Sequence, residues 1–80
     1  MKIEIEDQRL SDECGCPEED IIIGNLFFTI HLEEDSGGHL FLDLGDYEEE
    51  RLVDCDGTIE GLRQKAHEWA EEIYDLPSCW

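Results

Sequence analysis

The apolar residues of this chain concentrate in one stretch, residues 21–44, which reads IIIGNLFFTIHLEEDSGGHLFLDL. Leu26, Phe28, Ile30 and Leu32 occupy every second position, and Leu40, Leu42 and Leu44 form a second alternating set. Successive side chains of a strand point to opposite faces, so the stretch predicts a β-hairpin at the centre of a small antiparallel sheet. For two even-numbered sets to share a face, opposing residue numbers must sum to an even number, which requires a loop of odd length. Asp35, Ser36 and Gly37 meet that requirement as a three-residue loop with glycine at positive φ. Leu32 then opposes Leu40, and Glu33 opposes His39. The other face carries Ile21, Ile23, Phe27, Thr29, His31 and Phe41, which is less polar than a solvated face requires. Gly24-Asn25 is either a bulge in one long strand or a tight turn that adds a short strand, and the bulge is the preferred reading.

The flanks complete the layout. Residues 2–6 alternate, with Met1, Ile3 and Ile5 on one side and Lys2, Glu4 and Glu6 on the other, which predicts a half-buried first strand. Residues 7–20 are rich in acids, with Ser, Gly and Pro among them, and read as a long exposed loop. Gly45-Asp46 signals a turn, and residues 47–53 form an edge strand whose Glu48, Glu49 and Glu50 discourage sheet-to-sheet aggregation. From residue 59 to 76, Ile59, Leu62, Ala66, Trp69, Ile73 and Leu76 recur at alternating spacings of three and four, the signature of one helix face. Thr58 is the predicted N-cap with Asp56 as the alternative, and Pro77 ends the helix, leaving a tail that contains Trp80. The expected fold is α+β: a single domain over residues 1–80, with an antiparallel sheet of about four strands and one C-terminal helix packed on one face.

Charge changes the picture more than any motif does. The 80 residues hold 23 acidic side chains against five Lys and Arg, for a net charge of -18. A compact chain of this length has a diameter of about 30 Å, and duplex DNA carries roughly 18 charges over that distance. Self-repulsion of this size opposes compaction and therefore asks for a reason. Glu71, Glu72 and Asp75 crowd the C-terminal end of the predicted helix, where negative charge is unfavourable, and Glu68 and Glu72 repel at i,i+4 spacing. Stability alone would not select that arrangement.

The chemistry-bearing residues are few. Val53 to Ile59 reads VDCDGTI and is similar to the DxDGT motif of phosphatases with an aspartyl nucleophile, Asp54 being the nucleophile and Asp56 the acid. That family places the motif after a buried parallel strand at the start of a much larger α/β domain. Here little chain follows it, and a turn with a helix cap is the preferred reading. Cys14, Cys16, Cys55 and Cys79 read as thiols of a reducing compartment. Zinc on Cys14, Cys16 and Cys55 with His31 or His39 is disfavoured, because the close cysteine pair lacks the usual spacing and has no second pair. The expectation is no catalytic residue, no metal and no cofactor. No apolar run approaches a membrane span, and MKIEIEDQRL lacks a signal-peptide core.

In length, charge and layout of several strands plus one helix, the whole chain resembles the small acidic proteins that phages make against bacterial defence, especially anti-CRISPR proteins of type I systems. The resemblance implies a non-catalytic inhibitor in the cytoplasm of the infected host, which binds a subunit of the RNA-guided surveillance complex and prevents target DNA from binding. It transfers no individual residue. The candidate partner-binding residues are instead the acidic clusters Glu33, Glu34 and Asp35; Glu48, Glu49 and Glu50; and Glu68, Glu71, Glu72 and Asp75, which match a basic nucleic-acid-binding surface in charge. The alternatives are an inhibitor of another DNA-binding defence or repair enzyme, and a halophilic housekeeping domain made acidic for solubility. The apolar sheet face is also available for a homodimer.

Overall fold

The computed structural model describes residues 2–12, 15–33 and 37–74. Five strands run antiparallel in chain order: β1 (Ile3–Leu10), β2 (Pro17–Ile23), β3 (Leu26–Leu32), β4 (Gly37–Asp43) and β5 (Glu48–Asp54). One helix, α1 (Ile59–Tyr74), follows and lies across one face, chiefly over β3 and partly over β2 and β4. The α+β architecture is the expected one, with five strands rather than about four.

The extra strand comes from Gly24-Asn25, which is a tight turn and not a bulge. Ile23 pairs with Leu26 and Ile21 with Phe28, so opposing numbers sum to an odd value and the odd-numbered isoleucines join the even-numbered face of β3. Ile21 and Ile23 are consequently 0% exposed. A continuous strand would have left both on the uncovered face, forgoing about 1.5–3 kcal/mol of burial for each. The turn holds Gly24 at φ 66°, a conformation glycine adopts without a steric penalty. Tyr74, in the last turn of α1, caps this hairpin: its hydroxyl accepts from the Asn25 backbone N–H at 3.0 Å and donates to the Asn25 side-chain oxygen.

The expected long loop over residues 7–20 is also corrected. β1 continues to Leu10 and β2 begins at Pro17, which leaves only residues 11–16 as the connection. These strands hold because their polar side chains pair across the ladder: Gln8 faces Glu19 and Arg9 faces Glu18. Pro17 is tolerated as the first residue of its strand. An irregularity between Ile5 and Asp7 makes Glu6 an extra residue, which switches the alternation and brings Gln8 to the face that carries Ile3.

The β3–β4 hairpin keeps the predicted parity but slips by two residues. Leu32 pairs with Gly38, Ile30 with Leu40, and the Glu33 N–H donates to the Gly37 carbonyl at 2.9 Å. Gly37 therefore belongs to β4 and is not the loop glycine, while Asp35 and Ser36 lie outside the described residues. Packing explains the slip. A Cβ on Gly38 would collide with the Leu62 side chain, so this register places the residue without a Cβ where Leu62 needs the space.

The core joins Ile21, Ile23, Phe28, Ile30, Leu40 and Leu42 to Leu62, Ala66, Trp69 and Ala70. Phe28 meets Trp69 edge to face, with centroids 5.7 Å apart. Ile59 and Ile73 border the core as the periodicity predicts, and Leu76 lies outside the described residues. Thr58 is the N-cap, its hydroxyl accepting from the Gly61 N–H at 3.0 Å.

Candidate functional site

The described members of the predicted acidic clusters do not form one patch. Glu33 ends up beside the open sheet face, its carboxylate 2.6 Å from His39 Nδ1. Glu34, Asp35 and Asp75 lie outside the described residues. Glu48, Glu49 and Glu50 lie on the edge strand β5 as expected, but alternation divides them. Glu49 pairs with Leu42 and so faces the helix side, whereas Glu48 pairs with Asp43 and Glu50 with Phe41 on the open side. Glu50 also comes within 3.8 Å of His39 Nε2, so the fold gathers Glu33 and Glu50 around one imidazole. Glu68, Glu71 and Glu72 are exposed on α1. Glu71 reaches His67 at 2.9 Å, and Glu72 reaches Arg51 at 2.8 Å while that guanidinium stacks 4.2 Å above the Trp69 ring.

Two charged constellations were not anticipated. On the helix side, Glu19 is 3% exposed. Its carboxylate accepts from Arg63 through Nε at 2.7 Å and through the terminal nitrogen at 2.6 Å, and from Gln8 at 2.7 Å. The Arg63 guanidinium, helped by Gln8, holds the carboxyl below its usual range against the opposing effect of burial. On the open side, Arg9 is enclosed by Asp7, Glu18 and Asp20 at 3.0, 2.6 and 3.1 Å. Asp20 is held low first by Arg9 and then by the Thr29 hydroxyl, which donates at 3.0 Å. Period-two alternation from residue 17 to 23 was the signal for both: it puts Glu19 in line with Ile21 and Ile23, and Glu18 and Asp20 opposite them.

The open face is the side of the sheet that α1 leaves uncovered. Its middle holds Ile22, Phe27, Thr29 and Phe41, with His31 and His39 meeting edge to face at 6.5 Å and His39 tilted on Phe41 at 5.5 Å. Phe27 is 37% exposed and Leu52, beyond His39, is 70% exposed.

The phosphatase-like stretch takes the form of a strand end and a helix cap. Asp54 is the exposed last residue of an antiparallel edge strand. Asp56 accepts from the Thr58 N–H at 3.2 Å and from its hydroxyl, which lowers the Asp56 pKa and braces the cap. Among the described residues, no three His, Cys, Asp or Glu side chains are placed to hold a metal ion. Cys14 and Cys79 lie outside those residues. No described helix is long and apolar enough to cross a membrane.

Comparison of the chain with protein-family models, with curated proteins and with solved structures gives no match.

Proposed function

We propose that the protein is a non-catalytic acidic inhibitor that occupies a basic nucleic-acid-binding surface and excludes DNA from it. The observation that carries this reading is how the fold uses its few cations. Of the five Lys and Arg residues, Arg9, Arg51 and Arg63 are each bound to carboxylates of the same chain. The negative charge is therefore left to face outward from both sides of the sheet and from the helix.

Shape supports the reading. The principal extents are 44 × 23 × 22 Å, so the molecule is a short rod rather than the 30 Å sphere its length suggests. A duplex of that length carries roughly 26 charges, more than the -18 of this chain. The protein thus approaches the charge of a duplex segment without equalling it, and apolar contacts must supplement the electrostatic ones if it is to compete. The partner implied by the resemblance is a subunit of a type I CRISPR surveillance complex, and the site of action is then the cytoplasm of the infected host.

The test is a competition. Purified type I surveillance complex with labelled target DNA, titrated with this protein at physiological salt, should release the DNA stoichiometrically. Unchanged DNA binding at high excess overturns the assignment to that partner. A halophilic domain makes a different prediction, which the same preparation can check: it would unfold as salt is lowered, whereas an inhibitor of a DNA-binding enzyme remains folded at physiological salt.

A further inference from the structure

We infer that the open sheet face, and not the outer face of the helix, is the surface on which a basic protein partner docks. The inference rests on the functional reading above and names its contact surface. Antiparallel sheets often leave one face to water, and that face is then polar. Here Phe27 and Phe41 lie in neighbouring strands, Ile22 is directly opposite Phe27, and Leu52 projects further along. Phe27 and Leu52 are the exposed members. Carboxylates surround this apolar middle: Asp43, Glu48 and Glu50 on the β4–β5 side, Glu4 and Asp7 on the β1 side. Arg9, the arginine of this face, is already enclosed by three carboxylates.

An aromatic and aliphatic centre inside a charged rim is the anatomy of a protein interface, in which a few desolvated side chains carry the affinity and the rim excludes water and sets the register. The sign of the rim selects the occupant. A second copy of the chain would set carboxylates against carboxylates with a net charge of -18 on each side, an arrangement that like-charge repulsion opposes. A partner rich in Lys and Arg, with an apolar spot of its own, satisfies both parts. The outer side of α1 offers Glu60, Glu68, Glu71 and Glu72, but among the described residues the large exposed ring of that helix, Tyr74, is already engaged with the Asn25 turn.

The experiment compares three variants with the unchanged protein in the surveillance-complex competition, each first shown to be folded by circular dichroism. Phe27→Thr/Leu52→Thr removes the anchors and keeps strand-forming residues. Asp43→Asn/Glu48→Gln/Glu50→Gln neutralises one rim and leaves the apolar middle intact, so it decides the question should the first variant fail to fold. Glu68→Gln/Glu71→Gln changes the helix. The expected result is a loss of displacement potency of about 30-fold or more for the face variants, the size of a hot-spot effect, against about threefold or less for the helix variant. Full potency of the face variants, or a larger loss in the helix variant, overturns the docking surface while the inhibitor reading stands. Failure of the unchanged protein to displace DNA overturns the functional reading and the inference with it. Sedimentation supplies the remaining outcome. A dimer at physiological salt that Phe27→Thr/Leu52→Thr dissociates would make a second copy the occupant and overturn the inference.

Discussion

The same sheet presents two faces built from neighbouring residues of the same strands, and they handle charge in opposite ways. On the face under α1, the buried carboxylate of the described residues, Glu19, has its oxygens satisfied by Arg63 and Gln8. On the open face, carboxylates outnumber cations, and among the described residues no helix lies over the apolar side chains between them. The covered face follows the rules of an interior, where a polar group is kept only with its partners. The open face places Phe27 and Leu52, exposed, among charges, as soluble surfaces commonly do with single apolar residues.

The largest effect should come from the covered face. Phe28→Ala removes a fully buried ring from its contact with Trp69 and should cost about 3–5 kcal/mol in urea unfolding, enough to consume most of the stability of a domain this small. Arg63→Met comes next, because it leaves Glu19 buried without its cation, and a loss of about 3 kcal/mol is expected near neutral pH. The sign of its pH dependence follows from the direction of the shift. Glu19 titrates lower in the folded protein than in the unfolded chain, so its contribution is complete above the ordinary carboxyl value of about 4.3. That contribution is lost as pH falls through the lowered folded value. The gap between the native protein and Arg63→Met, measured by denaturation at a series of pH values, should therefore narrow below about pH 4.

Gly24→Ala probes the turn that sorts the isoleucines between the faces. A Cβ there meets the Tyr74 hydroxyl, and φ at this position is 66°. A loss of about 1–2 kcal/mol is expected, with Tyr74→Phe losing about 1 kcal/mol through the same contact. The smallest effect belongs to the open face. Phe27→Thr/Leu52→Thr should change unfolding free energy by less than about 1 kcal/mol, while a matched pair of substitutions under the helix would not be tolerated. Equal costs on both faces would remove the contrast between them.

How much of this could be read from the chain follows from where neighbouring residues decide an outcome. The helix from Ile59, its Thr58 cap and its buried stripe were legible, because the spacing of Leu62, Ala66 and Trp69 is a local property. The even-numbered alternation of β3 and β4 was legible for the same reason. The register of their hairpin was not, since it depends on Gly38 making room for Leu62, a contact between distant parts of the chain. Gly24-Asn25 was open locally, and the burial of Ile21 and Ile23 against α1 resolved it. Residues 7–20 looked like a loop because their acids were counted as a composition. Paired across two strands, Arg9 with Glu18 and Gln8 with Glu19, the same residues make a ladder. Among the candidate acids, the run of Glu48, Glu49 and Glu50 was visible, but its division between two faces required the strand to be known first.

Strand order equal to chain order has a kinetic consequence. Each strand finds its partner in the segment that has just preceded it, so the sheet can assemble by successive hairpins without waiting for remote segments to meet. Folding rates rise as contacts become more local, and this sheet should zip up quickly for an all-antiparallel one. The helix is different. It follows all five strands in the chain, and until it docks, the apolar row that includes Ile21, Phe28 and Leu40 has no cover from it. A ribosome carrying this chain therefore displays a sticky, half-finished sheet until α1 emerges, and during that interval the repulsion among its many carboxylates is what keeps one nascent chain from another.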